Sequence, residues 1–191
     1  PDISGNGNTM IFDSATGIVQ NKEGIYVPDA RAKASTTSAI NLGTKHSMCF
    51  RIKPIQTLTT GILCLSLSGS TYLRFTNPTT LTYYTGVATL SMTIPTISSG
   101  IDTYVLTRNG TTVKLYINGS LINTYTNSNN NDFILQSMFS INYAQGYVGD
   151  VYDARFYTTE LSLQEAKDYH NSFITPTLVE SFDNYNVGDT L

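Results

Sequence analysis

Val113-Lys114-Leu115-Tyr116-Ile117-Asn118-Gly119-Ser120-Leu121-Ile122 is the stretch on which the fold turns. Side chains alternate on both sides of Asn118-Gly119, and an Asn-Gly loop favours a type I′ turn because both residues must take positive φ. Asn109-Gly110, just upstream, reads as a second turn of the same kind. Together they predict a three-strand antiparallel meander.

Outward from this segment, short runs of β-branched and aromatic residues are separated by Gly, Pro and Asn breaks. They predict strands at 24–28, 46–53, 61–67, 71–76, 80–84, 87–94, 102–108, 112–117, 120–126, 133–141 and 146–157. Many short strands without interleaved helices argue for an all-β sandwich of two antiparallel sheets. One helix stands out from Ser162 to Asn171. Ser162 can accept from the Glu165 amide while Glu165 reaches back to the Ser162 amide, a capping box. Leu163, Ala166, Tyr169 and Phe173 fall near one face, which is expected to pack on the sandwich. The Asp2–Asn8 opening is loop chemistry. After Pro176 the pattern changes, so a sandwich over 1–178 is expected, with 179–191 a linker or the start of another unit. A chain that starts at Pro1 reads as one cut from a longer polypeptide.

Composition narrows the function. Charged residues are only 13% of the chain, so Thr, Ser and Asn must supply the polar surface. Thirteen Tyr and eight Phe are spread along it, which argues against disorder. The 11 Lys and Arg are scattered and the net charge is -3, so the basic stripe of a nucleic-acid site is missing. No apolar run approaches the ~20 residues that span a bilayer. Cys49 and Cys64 would face each other if their strands formed a hairpin, which leaves a cross-strand disulfide open. Two buried free thiols are the favoured state, because directly opposed strands hold disulfide geometry poorly.

Three stretches resemble the laminin G-like group of the concanavalin A-like lectin/glucanase superfamily. They are the Asp2–Asn8 opening, Ser47-Met48-Cys49-Phe50-Arg51-Ile52-Lys53-Pro54, and a two-part series. The series runs from Tyr104–Gly110 into Lys114–Gly119, and later from Gly149–Tyr157 into Leu161–Glu165. Phe50 stands where a Trp is usual in that group. The resemblance covers roughly residues 2–173 and implies a jelly-roll of two large curved sheets with a short helix after the last long strand. It fixes no function, since members bind glycans, proteins or calcium, some hydrolyse glucans, and many serve as adhesive or spacer modules.

Catalysis finds no support in the residues. Retaining glucan hydrolysis needs two carboxylates roughly 5 Å apart. The four Glu (Glu23, Glu160, Glu165 and Glu180) form no such strand pair. Asp150 and Asp153 fall on opposite faces unless a bulge intervenes. His46 and His170 accompany no nucleophile motif and read as ordinary surface or rim histidines. Calcium is the one cofactor the resemblance leaves open. Asp150 and Asp153 are the candidate ligands, with Asp2, Asn6 and the Asn127–Asp132 loop as further oxygen donors. Asn109-Gly110-Thr111 and Asn118-Gly119-Ser120 match the glycosylation acceptor pattern, but tight-turn chemistry already accounts for both.

A glycan site requires an aromatic platform flanked by groups that read hydroxyls. Trp is absent, so Tyr must serve. Tyr72 and Arg74 alternate onto one face, with Phe75 in the core. Tyr83-Tyr84 splits between faces, so one of the two is exposed. Asn142 and Tyr143, with Gln145, precede the last long strand in a rim loop. Tyr72, Arg74, Tyr83, Tyr84, Asn142 and Tyr143 are therefore the candidate ligand-binding residues. Two readings stand. One is a non-catalytic carbohydrate-binding or adhesion module of a larger extracellular or cell-surface protein. The other is a structural module of a virion, such as a tail fibre, or of a multidomain surface protein that forms homo-oligomers. One concave tyrosine cluster would favour the first, and a broad flat apolar patch the second.

Overall fold

The computed structural model describes residues 10–12, 17–20, 23–55, 60–140 and 145–173. Their strands are β1 (Met10–Phe12), β2 (Val19–Gln20), β3 (Ile25–Val27), β4 (Ala34–Gly43), β5 (Lys45–Pro54), β6 (Gly61–Leu65) and β7 (Tyr72–Asn77). The series continues with β8 (Thr80–Tyr84), β9 (Thr89–Thr93), β10 (Asp102–Asn109), β11 (Thr112–Ile117), β12 (Ser120–Thr126), β13 (Phe133–Met138) and β14 (Gly149–Tyr157). The helix α1 covers Leu163–Asn171. Two seven-stranded sheets have the orders β1-β4-β13-β6-β7-β8-β9 and β12-β11-β10-β5-β14-β3-β2. Neighbouring strands pair antiparallel, as in β10 with β5 and β7 with β8. This is an antiparallel jelly-roll β-sandwich with one short helix.

Alternation fills the space between the sheets. Met48, Phe50 and Ile52 of β5 and Tyr104 and Leu106 of β10 meet Leu63, Leu73, Phe75, Leu81 and Tyr83 from the opposite sheet, all buried. The meander forms as its sequence dictates. Asn118 and Gly119 take φ of 50° and 73°, the two positive values of a type I′ turn. The upstream turn differs. Asn109 pairs with Thr112, so Gly110-Thr111 is the loop, and only Gly110 (φ 61°) is positive. A glycine at the first loop position is the type II′ arrangement.

Local sequence pattern does not announce β1, β2 or β4. The first two are too short to show a period. Strand β4 is ten residues long, yet Ser35-Thr36-Thr37-Ser38-Ala39 has no apolar alternation and is mostly unburied. Main-chain pairing with β13 and β1 holds it in place.

The capping box of α1 is present in both directions. Glu165 N donates to Ser162 Oγ at 3.2 Å, and Ser162 N donates to Glu165 Oε2 at 2.7 Å. Ala166 and Tyr169 bury against Cys49, Val105 and Tyr116 on the outer face of the β5 sheet, with Phe173 packed beside them. Leu163 does not join them and is 45% exposed, so the buried stripe is one turn shorter than its spacing implies. The cysteines are buried free thiols. Their strands, β5 and β6, belong to different sheets, so they are not hairpin partners. Burial pushes the Cys49 thiol up to about 12.

Candidate functional site

Register builds a compact group on the outer face of the β7 sheet. Tyr72 pairs with Tyr84, Leu73 with Tyr83, and Arg74 with Thr82. Alternation therefore sends Leu73 and Tyr83 inward and leaves Tyr72, Arg74 and Tyr84 outward and partly exposed. The Tyr72 and Tyr84 rings stack with centroids 4.9 Å apart and planes 28° apart. The Arg74 guanidinium carbon lies 4.7 Å from the Tyr72 centroid. Cross-strand aromatic pairing and cation–π contact thus hold the three side chains as one unit.

Two rim contacts complete it. Arg74 Nη1 donates to Gln145 Oε1 at 3.3 Å, across a sequence separation of 71 residues. Gln145 holds a positive φ of 58°, and its carbonyl accepts from Ile62 N at 3.1 Å. Such a conformation is uncommon for a non-glycine residue and is held here by the surrounding contacts. Tyr84 Oη donates to the Gly86 carbonyl at 2.8 Å, which orients that ring. Beside the pair, Thr76 bonds the buried Thr82, their Oγ1 atoms 2.6 Å apart, and the face continues with exposed Thr89, Ser91 and Thr93 on β9. Partly exposed rings beside a guanidinium, an amide and hydroxyls can stack on a flat apolar face and bond a hydroxylated ligand.

The other candidates go elsewhere. Tyr83 is fully buried, because its partner position on β8 faces the core, and it leaves the set. Asn142 and Tyr143 lie outside the described residues, as do Asp2 and Asn6. Asp150 and Asp153 do share a face, because a register shift between Val151 and Asp153 sets Asp150 opposite Lys53 and Asp153 opposite Arg51. Asp153 is already engaged by Arg155, Nε to Oδ2 at 2.8 Å. Among the described residues, no group of three or more His, Cys, Asp or Glu could hold a metal ion.

The Asn127–Asp132 loop carries a cation of its own. Arg108 is fully buried and donates Nη2 to the Asn129 carbonyl (3.0 Å), Nη1 to that of Asn131 (2.8 Å), and Nε to that of Gly110 (2.7 Å). The guanidinium thus takes loop carbonyls that a calcium ion would need. It also donates to Tyr83 Oη at 3.0 Å, and that oxygen lies 3.1 Å from His46 Nε2. His46 is fully buried, not a rim residue, and its Nδ1 sits 2.9 Å from the Gly43 carbonyl. Desolvation lowers its pKa to about 4. The sequence holds a signal for this network: Tyr104, Leu106 and Arg108 alternate, which puts Arg108 on the core side. His170, by contrast, lies at the helix end with Nδ1 3.0 Å from Thr103 Oγ1.

No family model matches the sequence, and no curated protein does either. Solved structures do match. The botulinum neurotoxin serotype D ligand-binding domain in complex with N-acetylneuraminic acid superposes with a TM-score of 0.71 at 17% identity, over 91% of this chain and 48% of that one. The serotype G neurotoxin binding domain gives 0.69 at 18% identity, covering 90% of this chain and 48% of that one. Domain 4 of AbnA, a GH43 extracellular arabinanase from Geobacillus stearothermophilus, in complex with arabinotriose, gives 0.56 at 15% identity, over 85% and 81% of the two chains. The likeness is one of fold. The chain spans about half the length of the neurotoxin binding-domain chains. No helix among the described residues is long and apolar enough to cross a membrane.

Proposed function

We propose that this domain is a non-catalytic carbohydrate-binding module of a larger extracellular or surface-exposed protein, and that it binds glycan on the outer face of β7 and β8. The observation that carries this reading is the Tyr72–Tyr84 stack, buttressed by Arg74 and Gln145 and set among exposed hydroxyls. Sugar C–H faces pack on aromatic rings while amide, guanidinium and hydroxyl groups satisfy the sugar oxygens. Structures of the same fold include a neurotoxin domain with N-acetylneuraminic acid and an arabinanase domain with arabinotriose, which supports a glycan ligand here. Within the jelly-roll sandwiches we read the chain as laminin G-like, and we keep Asn142 and Tyr143 as rim contributors because they precede Gln145.

A hydroxyl-lined face with two rings is also a poor match to the broad apolar patch of an assembly surface. The test is native affinity electrophoresis against a polysaccharide panel, with Tyr72→Ala and Tyr84→Ala beside the parent. Retardation by at least one polysaccharide, lost in both variants, is expected. Retardation unchanged by either substitution would move the site elsewhere, and a panel with no retardation would sink the reading.

A further inference from the structure

Charge is distributed very unevenly between the two sheets. Among the described strands of the β1-β4-β13-β6-β7-β8-β9 sheet, Arg74 is the only charged residue, and there is no Asp or Glu. The opposite sheet carries Lys45, Arg51, Lys53, Asp102, Lys114, Asp150, Asp153 and Arg155 besides the buried Arg108, with both signs interspersed. The ion pairs among the described residues are Lys114–Glu160 and Arg155–Asp153, and Arg74 belongs to neither. Its guanidinium makes one described hydrogen bond, to the neutral amide of Gln145, and its buried Nε has no acceptor among the described residues. A guanidinium offers five donors in a planar fork, so a partly exposed one with a single described hydrogen bond has donors left for a ligand.

We infer that the ligand of this face carries an anionic group, and that Arg74 reads it. The inference rests on the glycan reading and narrows its ligand to an acidic polysaccharide. Lying over the Tyr72 ring and bonded to Gln145, the guanidinium has its position fixed at the sheet surface. A carboxylate or sulfate would meet the fork in its plane, while the adjoining sugar ring lies against Tyr84. A net charge of -3 works against general attraction to a polyanion, so such binding needs a local site.

The experiment uses the 191-residue chain and three probes: polygalacturonate for carboxylate, dextran sulfate for sulfate, and dextran as the neutral reference. Dissociation constants come from affinity electrophoresis or calorimetry. At least one acidic probe should bind more tightly than dextran, with carboxylate or sulfate preference naming the source. Arg74→Gln should weaken that binding at least about tenfold, the usual weight of a charge-assisted contact. Arg74→Lys should fall between, because charge remains while the fork is lost. Arg51→Gln, which removes an equal charge from the other sheet, should change nothing.

Four outcomes overturn the inference. Equal binding of dextran and the acidic probes by the parent would do so, as would equal losses in the Arg74 and Arg51 variants. If Tyr84→Ala abolishes binding while Arg74→Gln leaves it intact, the glycan site stands and the anionic reading alone falls. No binding to any probe, in a chain shown folded by circular dichroism, removes the anionic reading, and the polysaccharide panel then decides the glycan reading.

Discussion

Arg108 donates a hydrogen bond from Nη1 to the Tyr83 hydroxyl over 3.0 Å, joining the two sheets through groups that are both fully buried. The same guanidinium binds the carbonyls of Gly110, Asn129 and Asn131. No carboxylate appears among these partners, so the charge is satisfied by dipoles. The arrangement ties the Asn127–Asp132 loop to the core.

Removing that clamp should be expensive. Arg108→Met leaves three carbonyls and a phenol short of a donor, each loss being about 1 kcal/mol or more. We expect a destabilisation of about 3 kcal/mol or greater, read by urea unfolding. An unchanged midpoint would show that the network adds nothing to stability.

Because the guanidinium already fills the loop, calcium should have little to bind there. Millimolar calcium or a chelator should shift the Tm by less than about 1 °C, since only a ligand that binds the folded state raises it. A clear, saturable rise in Tm would restore a calcium site.

His46 predicts an acid-side loss of stability. Its folded pKa, lowered to about 4 by burial, lies below the ordinary value of 6.5. The unfolded chain therefore binds the proton more readily between those values, and stability falls as pH drops through that window. The loss reaches about 3 kcal/mol by pH 4 and is complete only below it. His46→Gln should flatten the slope between pH 6.5 and 4 in denaturant titrations. An equally steep slope in that variant would assign the acid sensitivity to other groups.

The helix cap offers a local test. Ser162→Ala removes the acceptor for the Glu165 amide and should cost about 1 kcal/mol. Since α1 covers Cys49, reaction of that thiol with a disulfide reagent should speed up in the variant while Cys64, within the core, stays slow. Equal rates for both thiols would mean that the helix does not guard Cys49.

Gly119 should be intolerant of substitution. Its φ is 73°, and an added Cβ would sit 3.4 Å from the His170 ring. Gly119→Ala should cost about 1 kcal/mol or more by thermal unfolding. A neutral result would show that the hairpin and helix end can shift apart.

Much of the platform is legible in the amino-acid sequence. Tyr72 and Arg74 sit two apart in a strand, and one of Tyr83 and Tyr84 has to face outward, because the strand period is two. Which one does so depends on pairing: Leu73 opposite Tyr83 puts Tyr83 in the core. The meeting of Gln145 with Arg74 is hidden, since no local rule links positions 71 residues apart. The shared face of Asp150 and Asp153 is hidden too, because a bulge reverses the parity that alternation assumes.

By itself the sequence determined the sandwich class, the Asn118-Gly119 hairpin and the capped helix, because each follows from local φ preference, strand period or a cap four residues long. Tertiary structure decided the order of strands, the separate sheets of Cys49 and Cys64, the place of β4, the burial of His46 and the partners of Arg108. These depend on partners distant in sequence, whose hydrogen bonds and desolvation exist only once the two sheets meet. The chargeless face around Arg74 belongs to that second group. Its strands are scattered from residue 10 to residue 138, and only their pairing brings them onto one sheet.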